Sequence, residues 1–265
     1  MAIKNILVLG YGKMGQWFAQ RLSKQYHVAV YDKSPVHSED ASNINFIRHS
    51  REIYLHKPDL IINAVNLNST ISAFNSVINH LPEYSILSDI TSIKNGIKEY
   101  YNSINLRFVS THPMFGPTFG NMSNLKNENA LIIEESDEEG KEFFEKFYRA
   151  HDITIHFTPF NFHDEIMAES LSLPFLTNLL FIINADRTKT PGTTYSKQLN
   201  TAVGLLSEDV HLLTEVLMNT HSLKIIEPLK NSINNLHEII KSGDNKALKR
   251  MLEKLKNYNC PDTGN

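Results

Sequence analysis

The stretch "NILVLGYGKMGQWFAQRLSKQYHVAVYD", residues 5–32, decides how this chain folds. An apolar strand, Asn5–Leu9, runs straight into Gly10, Gly12 and Gly15 in G-x-G-x-x-G spacing, and then into a helical pattern. In such a loop the first glycine permits a tight turn, the second lets the backbone approach a pyrophosphate, and the third allows close helix–strand packing. The helix that follows offers free N–H groups and a partial positive charge at its start. Asp32 closes the next strand about 20 residues on, where a carboxylate accepts hydrogen bonds from an adenosine ribose and repels a 2′-phosphate. The unit therefore points to a dinucleotide, NAD in preference to NADP, although Lys33 next door leaves room for the extra phosphate. Candidate cofactor contacts are Gly10, Tyr11, Gly12, Lys13, Met14, Gly15, Asp32 and Val65.

Working outward, short β-rich runs alternate with helical patterns, the signature of a parallel sheet covered by helices. After strands at 5–9 and 27–32 come "DLIINAV" (59–65), "YSILSD" (84–89), "LRFVS" (106–110), "ALIIE" near 130 and "ITIHF" near 153. From about residue 161 only helical patterns remain. The expected fold is α/β: a Rossmann-type doubly wound parallel sheet over residues 1–160, followed by an all-α C-terminal domain over 161–265. Pro174 is expected to kink the first of the later helices. The segment "RTKTPGTTYS" (187–196) is expected to be irregular, and "KSGDN" (241–245) to stop one helix and restart another. Trp17 and Phe18 are expected to pack in the core.

The 265 residues are 41% hydrophobic and carry a net charge of -3. That balance gives no basic excess to attract nucleic acid or an anionic membrane, so a small-molecule substrate is expected. The one cysteine, Cys260, sits in a polar tail, which fits a reducing compartment and a cytoplasmic location. The N-terminal apolar run is broken by Gly10 and Gly12, unlike a signal peptide, and no stretch is expected to be long and apolar enough to span a bilayer. No Cys/His ligand spacing suggests a metal.

In a doubly wound sheet, ligands bind beyond the carboxyl ends of the strands. The loops "SDITSIKNG" and "THPMFGP" leave two such ends, which brings Ser92, Lys94 and His112 to the rim that the glycine loop also occupies. Histidine titrates near neutrality and takes a proton from a hydroxyl as the carbon bearing it loses hydride. A serine hydroxyl nearby would orient the imidazole or the substrate oxygen. Ser92 is equally suited to cap a helix beginning near Asn95, and Lys94 is expected to be a solvated side chain.

The pair "SDITSIKNG" and "THPMFGP" behind "GYGKMG", together with "HDEIMA" (163–168), resembles the prephenate dehydrogenase family of tyrosine biosynthesis, including its arogenate dehydrogenases. The resemblance extends over essentially the whole chain. It implies that His112 is the catalytic histidine bonding the substrate's ring hydroxyl and that Ser92 is its partner. It further implies NAD-linked oxidative decarboxylation of prephenate to 4-hydroxyphenylpyruvate, and homodimerisation through the helical domain. With the first strand beginning almost at Met1, no fused chorismate mutase domain is expected ahead of it. The chain departs from the family at "AVGLLSED", where Leu205 stands in place of an expected carboxylate-binding arginine, and near "TTYSK", where Ser196 replaces another. Arg187, Lys189 or Lys197 would have to substitute; otherwise the substrate is an arogenate-like or amino-substituted analogue. A non-catalytic NAD-binding sensor is the reading from another class.

Overall fold

A computed structural model describes residues 3–34, 43–116, 120–185 and 190–256; Arg187, Lys189 and Cys260 lie outside them. Among these residues, strands β1 (Asn5–Leu9), β2 (His27–Tyr31), β3 (Ile44–Ile47), β4 (Leu60–Asn63), β5 (Ile86–Asp89), β6 (Arg107–Pro113), β7 (Asn129–Ile133) and β8 (Thr154–Thr158) build one sheet. Their order is β3-β2-β1-β4-β5-β6-β7-β8. The chain reverses its winding between β1 and β4, which opens a crevice beyond their carboxyl ends. Strand pairs from β3 to β6 are parallel, but β6 meets β7 antiparallel, with His112 opposite Leu131. The sheet is thus mixed at one edge, and β3 is a strand that the sequence pattern did not reveal.

Helices cover both faces. On one side, α1 (Lys13–Leu22) and α5 (Glu138–Arg149) bury Trp17, Phe18, Phe143, Phe144, Phe147 and Tyr148 against Ile6, Val8 and Val109. Trp17 and Phe18 therefore belong to the core, stacked edge to face on each other. On the other side, α3 (Thr70–Val77) and α4 (Ile97–Ser103) pack Phe74, Tyr100 and Tyr101 over Leu7, Ile61 and Leu87; the short α2 (Ile53–His56) adds Ile53. Strands covered on both faces have no need of polar alternation, hence runs such as "ILVL" and "LII".

The rest of the described chain is helical: α6 (Phe160–Met167), α7 (Leu173–Asn184), α8 (Thr193–Leu206), α9 (Val210–Leu217), α10 (Ser222–Ser242) and α11 (Asn245–Lys256). One π-helical turn, Ala168–Ser172, joins α6 to α7 just ahead of Pro174. Proline lacks the N–H that an α-helical ladder requires, and the wider turn is the local response. Gly243, at φ 65°, ends α10 in the left-handed conformation and α11 restarts two residues later. Residues 193–196, expected to be irregular, instead form the first turn of α8.

The expectation about bilayer-spanning length also needs correction. The continuous helical run Phe160–Asn184 is long and apolar enough by length and composition to cross a membrane, with a mean hydropathy of 1.7 over its most apolar window. Its charged residues are confined to the first half, where His163, Met167 and Ala168 are sealed against the rest of the protein.

Candidate functional site

Gly10 adopts φ 85°, a left-handed conformation open to glycine, and its N–H bonds the Tyr31 carbonyl at 2.9 Å. A Cβ on Gly15 would stand 2.1 Å from the Gly10 carbonyl oxygen, so the first turn of α1 lies against the end of β1 only because position 15 has no side chain. Gly12, by contrast, faces open space and caps α1 without a side-chain bond. The free N–H groups at that helix start look onto a cleft in two adjoining chambers, about 540 and 280 Å³, which share Gly12, Ala64, Val65 and Asn66.

The smaller chamber is lined by Gly10, Asp32, Lys33 and Val65. Asp32 accepts from the N–H of Tyr11 at 2.7 Å and of Ser34 at 2.8 Å, which fixes its carboxylate beside the glycine turn. The Tyr11 ring turns inward and packs edge-on against Phe46, so that residue contributes backbone to the loop. Lys13 and Met14 line the larger chamber. A glycine turn left open at Gly12, a helix start without a side-chain cap and a carboxylate at the far end fit a dinucleotide.

Ser92 and His112 both line the larger chamber, on the loop after β5 and near the end of β6. The imidazole's bonded neighbour is not Ser92 but His163 on α6: His112 Nδ1 lies 3.3 Å from His163 Nε2. Burial first, then the neighbouring His163 and Lys94, hold His112 well below the usual histidine range, so it is a neutral base at pH 7. Ser92 is half-buried and caps nothing, because α4 starts at Ile97 with Gly96 as its cap.

Lys94 is not solvated. Its side chain is 2% exposed, and its ammonium bonds the Asp89 carboxylate at 2.5 Å and the Thr111 carbonyl at 2.8 Å. Thr91 and Tyr101 hydroxyls donate to the same carboxylate. Burial pushes the Asp89 carboxyl up, but Lys94 and the Thr91 hydroxyl outweigh it and hold Asp89 below the ordinary range. Burial drives the Lys94 ammonium down, only partly opposed by Asp89. This ion pair locks the β5 loop onto β6 directly behind His112.

Leu205 is buried with Met167, Phe175 and Val216 rather than on the chamber wall. The residues that follow it, Ser207, Glu208 and Asp209, do line the chamber, as does Glu128. Lys13 is the one cationic side chain among the described lining residues; Lys197 lies exposed on α8, away from the wall. Three carboxylates around the cavity, and the His163–Asp164 pair behind it, escaped the sequence reading of the site, although "SED" carries Glu208 and Asp209 and "HDEIMA" carries the pair.

The family profile "Prephenate dehydrogenase, nucleotide-binding domain" matches residues 18–153, from just after the glycine loop to the start of β8. A probable arogenate/prephenate dehydrogenase of Methanocaldococcus jannaschii is 25% identical over 269 residues, covering 93% of this chain; the chain spans 59% of that relative's length. In fold, the chain is similar to prephenate dehydrogenase from Aquifex aeolicus in complex with hydroxyphenyl propionate and NAD+ (TM-score 0.82, 18% identity, 97% of each chain). It is also similar to Synechocystis arogenate dehydrogenase (TM-score 0.75, 17% identity, 95% of this chain and 97% of that one). With its fold, its cleft and a profile match over more than half its length, this chain belongs to the prephenate dehydrogenase family.

Proposed function

We propose that this protein is an NAD-dependent oxidoreductase that oxidatively decarboxylates prephenate or a close cyclohexadienyl analogue. The observation that carries the reading is a neutral imidazole, His112, lining the same chamber as Gly12, Lys13 and Met14 of the glycine loop. Gly10, Gly12, Gly15 and Val65 would cradle NAD, with Asp32 on the adenosine ribose. Bound NAD would supply the hydride acceptor. His112 takes the proton of the ring hydroxyl as its carbon is oxidised, a role worth about 10² to 10⁴ in rate. The ring carboxylate leaves as carbon dioxide, its bonding pair completes the aromatic ring, and His112 returns the proton to the phenol oxygen. Ser92, on the same wall, orients the substrate oxygen. Because aromatisation drives the reaction, the protein's main task is alignment.

The charge of the cavity favours a second reading of the substrate. Prephenate carries two carboxylates, which call for fixed cations, yet the described wall presents Glu128, Glu208 and Asp209 against Lys13 alone. An arogenate-like or amino-substituted analogue, whose ammonium group these carboxylates would meet, suits that wall better than the dianion. Arg187 remains a candidate carboxylate partner, whereas Lys197, exposed and away from the wall, does not. Homodimerisation through the helical region belongs to the same proposal, supported by the exposed apolar side chains of α7, α10 and α11, as does a cytoplasmic location.

The test is a panel of prephenate, arogenate and amino analogues with NAD and with NADP, followed by absorbance of the reduced nicotinamide. Turnover with NAD, fastest on an amino-bearing substrate, is the expected result. Cofactor binding without turnover of any of them would overturn the catalytic reading in favour of a sensor.

A further inference from the structure

Two side chains stand in line behind His112, which itself lines the cavity. The Asp164 carboxylate lies 2.7 Å from Nδ1 of His163, and Nε2 of His163 lies 3.3 Å from Nδ1 of His112. His163 is completely buried and does not line the cavity, so it is not placed to touch substrate. Ionised carboxylates only accept hydrogen bonds; the 2.7 Å contact therefore puts the proton of neutral His163 on Nδ1. Its Nε2 is then a bare lone pair, which can only take the Nδ1–H of His112. The second nitrogen of His112, Nε2, is left without a proton on the ring that lines the cavity.

We propose that Asp164 and His163 are positioning residues that hold His112 in the one tautomer able to accept a proton from a cavity-bound hydroxyl. The proposal rests on the oxidoreductase reading above for its purpose, but not for its geometry. Asp164 is itself fixed: its carboxylate accepts the Lys94 N–H at 2.8 Å, and its carbonyl accepts the Asn219 amide at 2.7 Å. The line thus ties together the β5 loop, β6, α6 and the turn before α10. The charged neighbours are the Lys94 ammonium and its partner Asp89 behind the two rings, with Glu128 and Asp209 on the cavity wall. Burial keeps His163 below the usual range despite the pull of Asp164, so both rings are neutral at pH 7 and the tautomers are the ones the carboxylate dictates.

The test is a long-range proton–nitrogen correlation spectrum of the full chain with 15N-labelled histidine, the His112 signals being assigned by their loss in His112→Asn. The expected spectrum at pH 7 has His112 protonated on Nδ1 and bare on Nε2; a proton on Nε2 would overturn the proposal. This measurement needs no substrate, so a chain that turns over nothing would sink the proposed function and leave the spectrum to decide the tautomer. In Asp164→Ala the acceptor of the His163 Nδ1–H is gone, so neither ring is held in one tautomer. We expect kcat to fall on the order of 10²-fold, with substrate KM and NAD affinity within about twofold of the unaltered protein. An unchanged kcat, or a loss confined to KM, would overturn the assignment.

Discussion

The sheet and the helical region bury their apolar residues very differently. Ile6, Leu7, Val8, Ile61 and Ile62 are fully sealed between two layers of helices. In contrast, α10 runs for 21 residues and buries only Ser222, and α11 buries none of its described residues. Ile183, Leu223, Ile240, Leu252 and Leu255 remain between 50 and 74% exposed. The sheet makes its own core, whereas the later helices present apolar stripes of the kind that a second copy would cover. The cofactor cleft belongs to the first kind of region, and the larger chamber is closed on one side by the second.

Changes in the sheet should act at any protein concentration. Lys94→Met leaves the Asp89 carboxylate buried without its cation and should cost about 3–5 kcal/mol in denaturant unfolding. Asp89→Asn combined with Lys94→Met should recover much of that loss, and failure to recover it would mean that the pair is not the source. Changes in the helical stripes should instead depend on concentration. A charge placed by Ile240→Asp or Leu252→Asp should weaken the proposed dimer by about tenfold or more, read by light scattering on a sizing column. Unaltered protein running as a monomer at micromolar concentration would show that no second copy covers these stripes.

Two smaller effects sharpen it. The Asp137 carboxylate accepts the Gly140 N–H and caps α5, so Asp137→Ala should cost about 1 kcal/mol without any dependence on concentration. Stability should also fall on acidification. His112 and His163 have folded pKa values below the unfolded one, so the unfolded chain binds protons first. Their contribution is complete above about pH 6.5 and is lost as pH drops from there towards the folded values, at about 1 kcal/mol per pH unit for each group. In His163→Asn, urea midpoints measured from pH 7 to pH 5 should show a shallower slope.

The contrast also explains how much could be seen in the sequence. Residues 5–32 announce their turn because Gly10 and Gly15 answer local steric demands, and strands buried on both faces need no long-range information to be recognised. The strand Ile44–Ile47 escaped because it is short, lies at the sheet edge and has one buried residue. Lys94 looked solvated because its partner Asp89 and its acceptor Thr111 become neighbours only when β5 pairs with β6. The pairing of His163 with His112 joins residues 51 apart on different elements, which no periodicity encodes. Leu205, where an arginine was expected, faces an apolar cluster, and the chamber wall is set by the turn that follows it.

The proposed function stands on His112 accepting the proton released as the substrate is oxidised in the cleft. His112→Asn, assayed for reduced nicotinamide with the best substrate of the panel and titrated with NAD by calorimetry, tests it most directly. The expected result is a loss of turnover on the order of 10² to 10⁴ with NAD affinity unchanged. Turnover equal to that of the unaltered protein would contradict it.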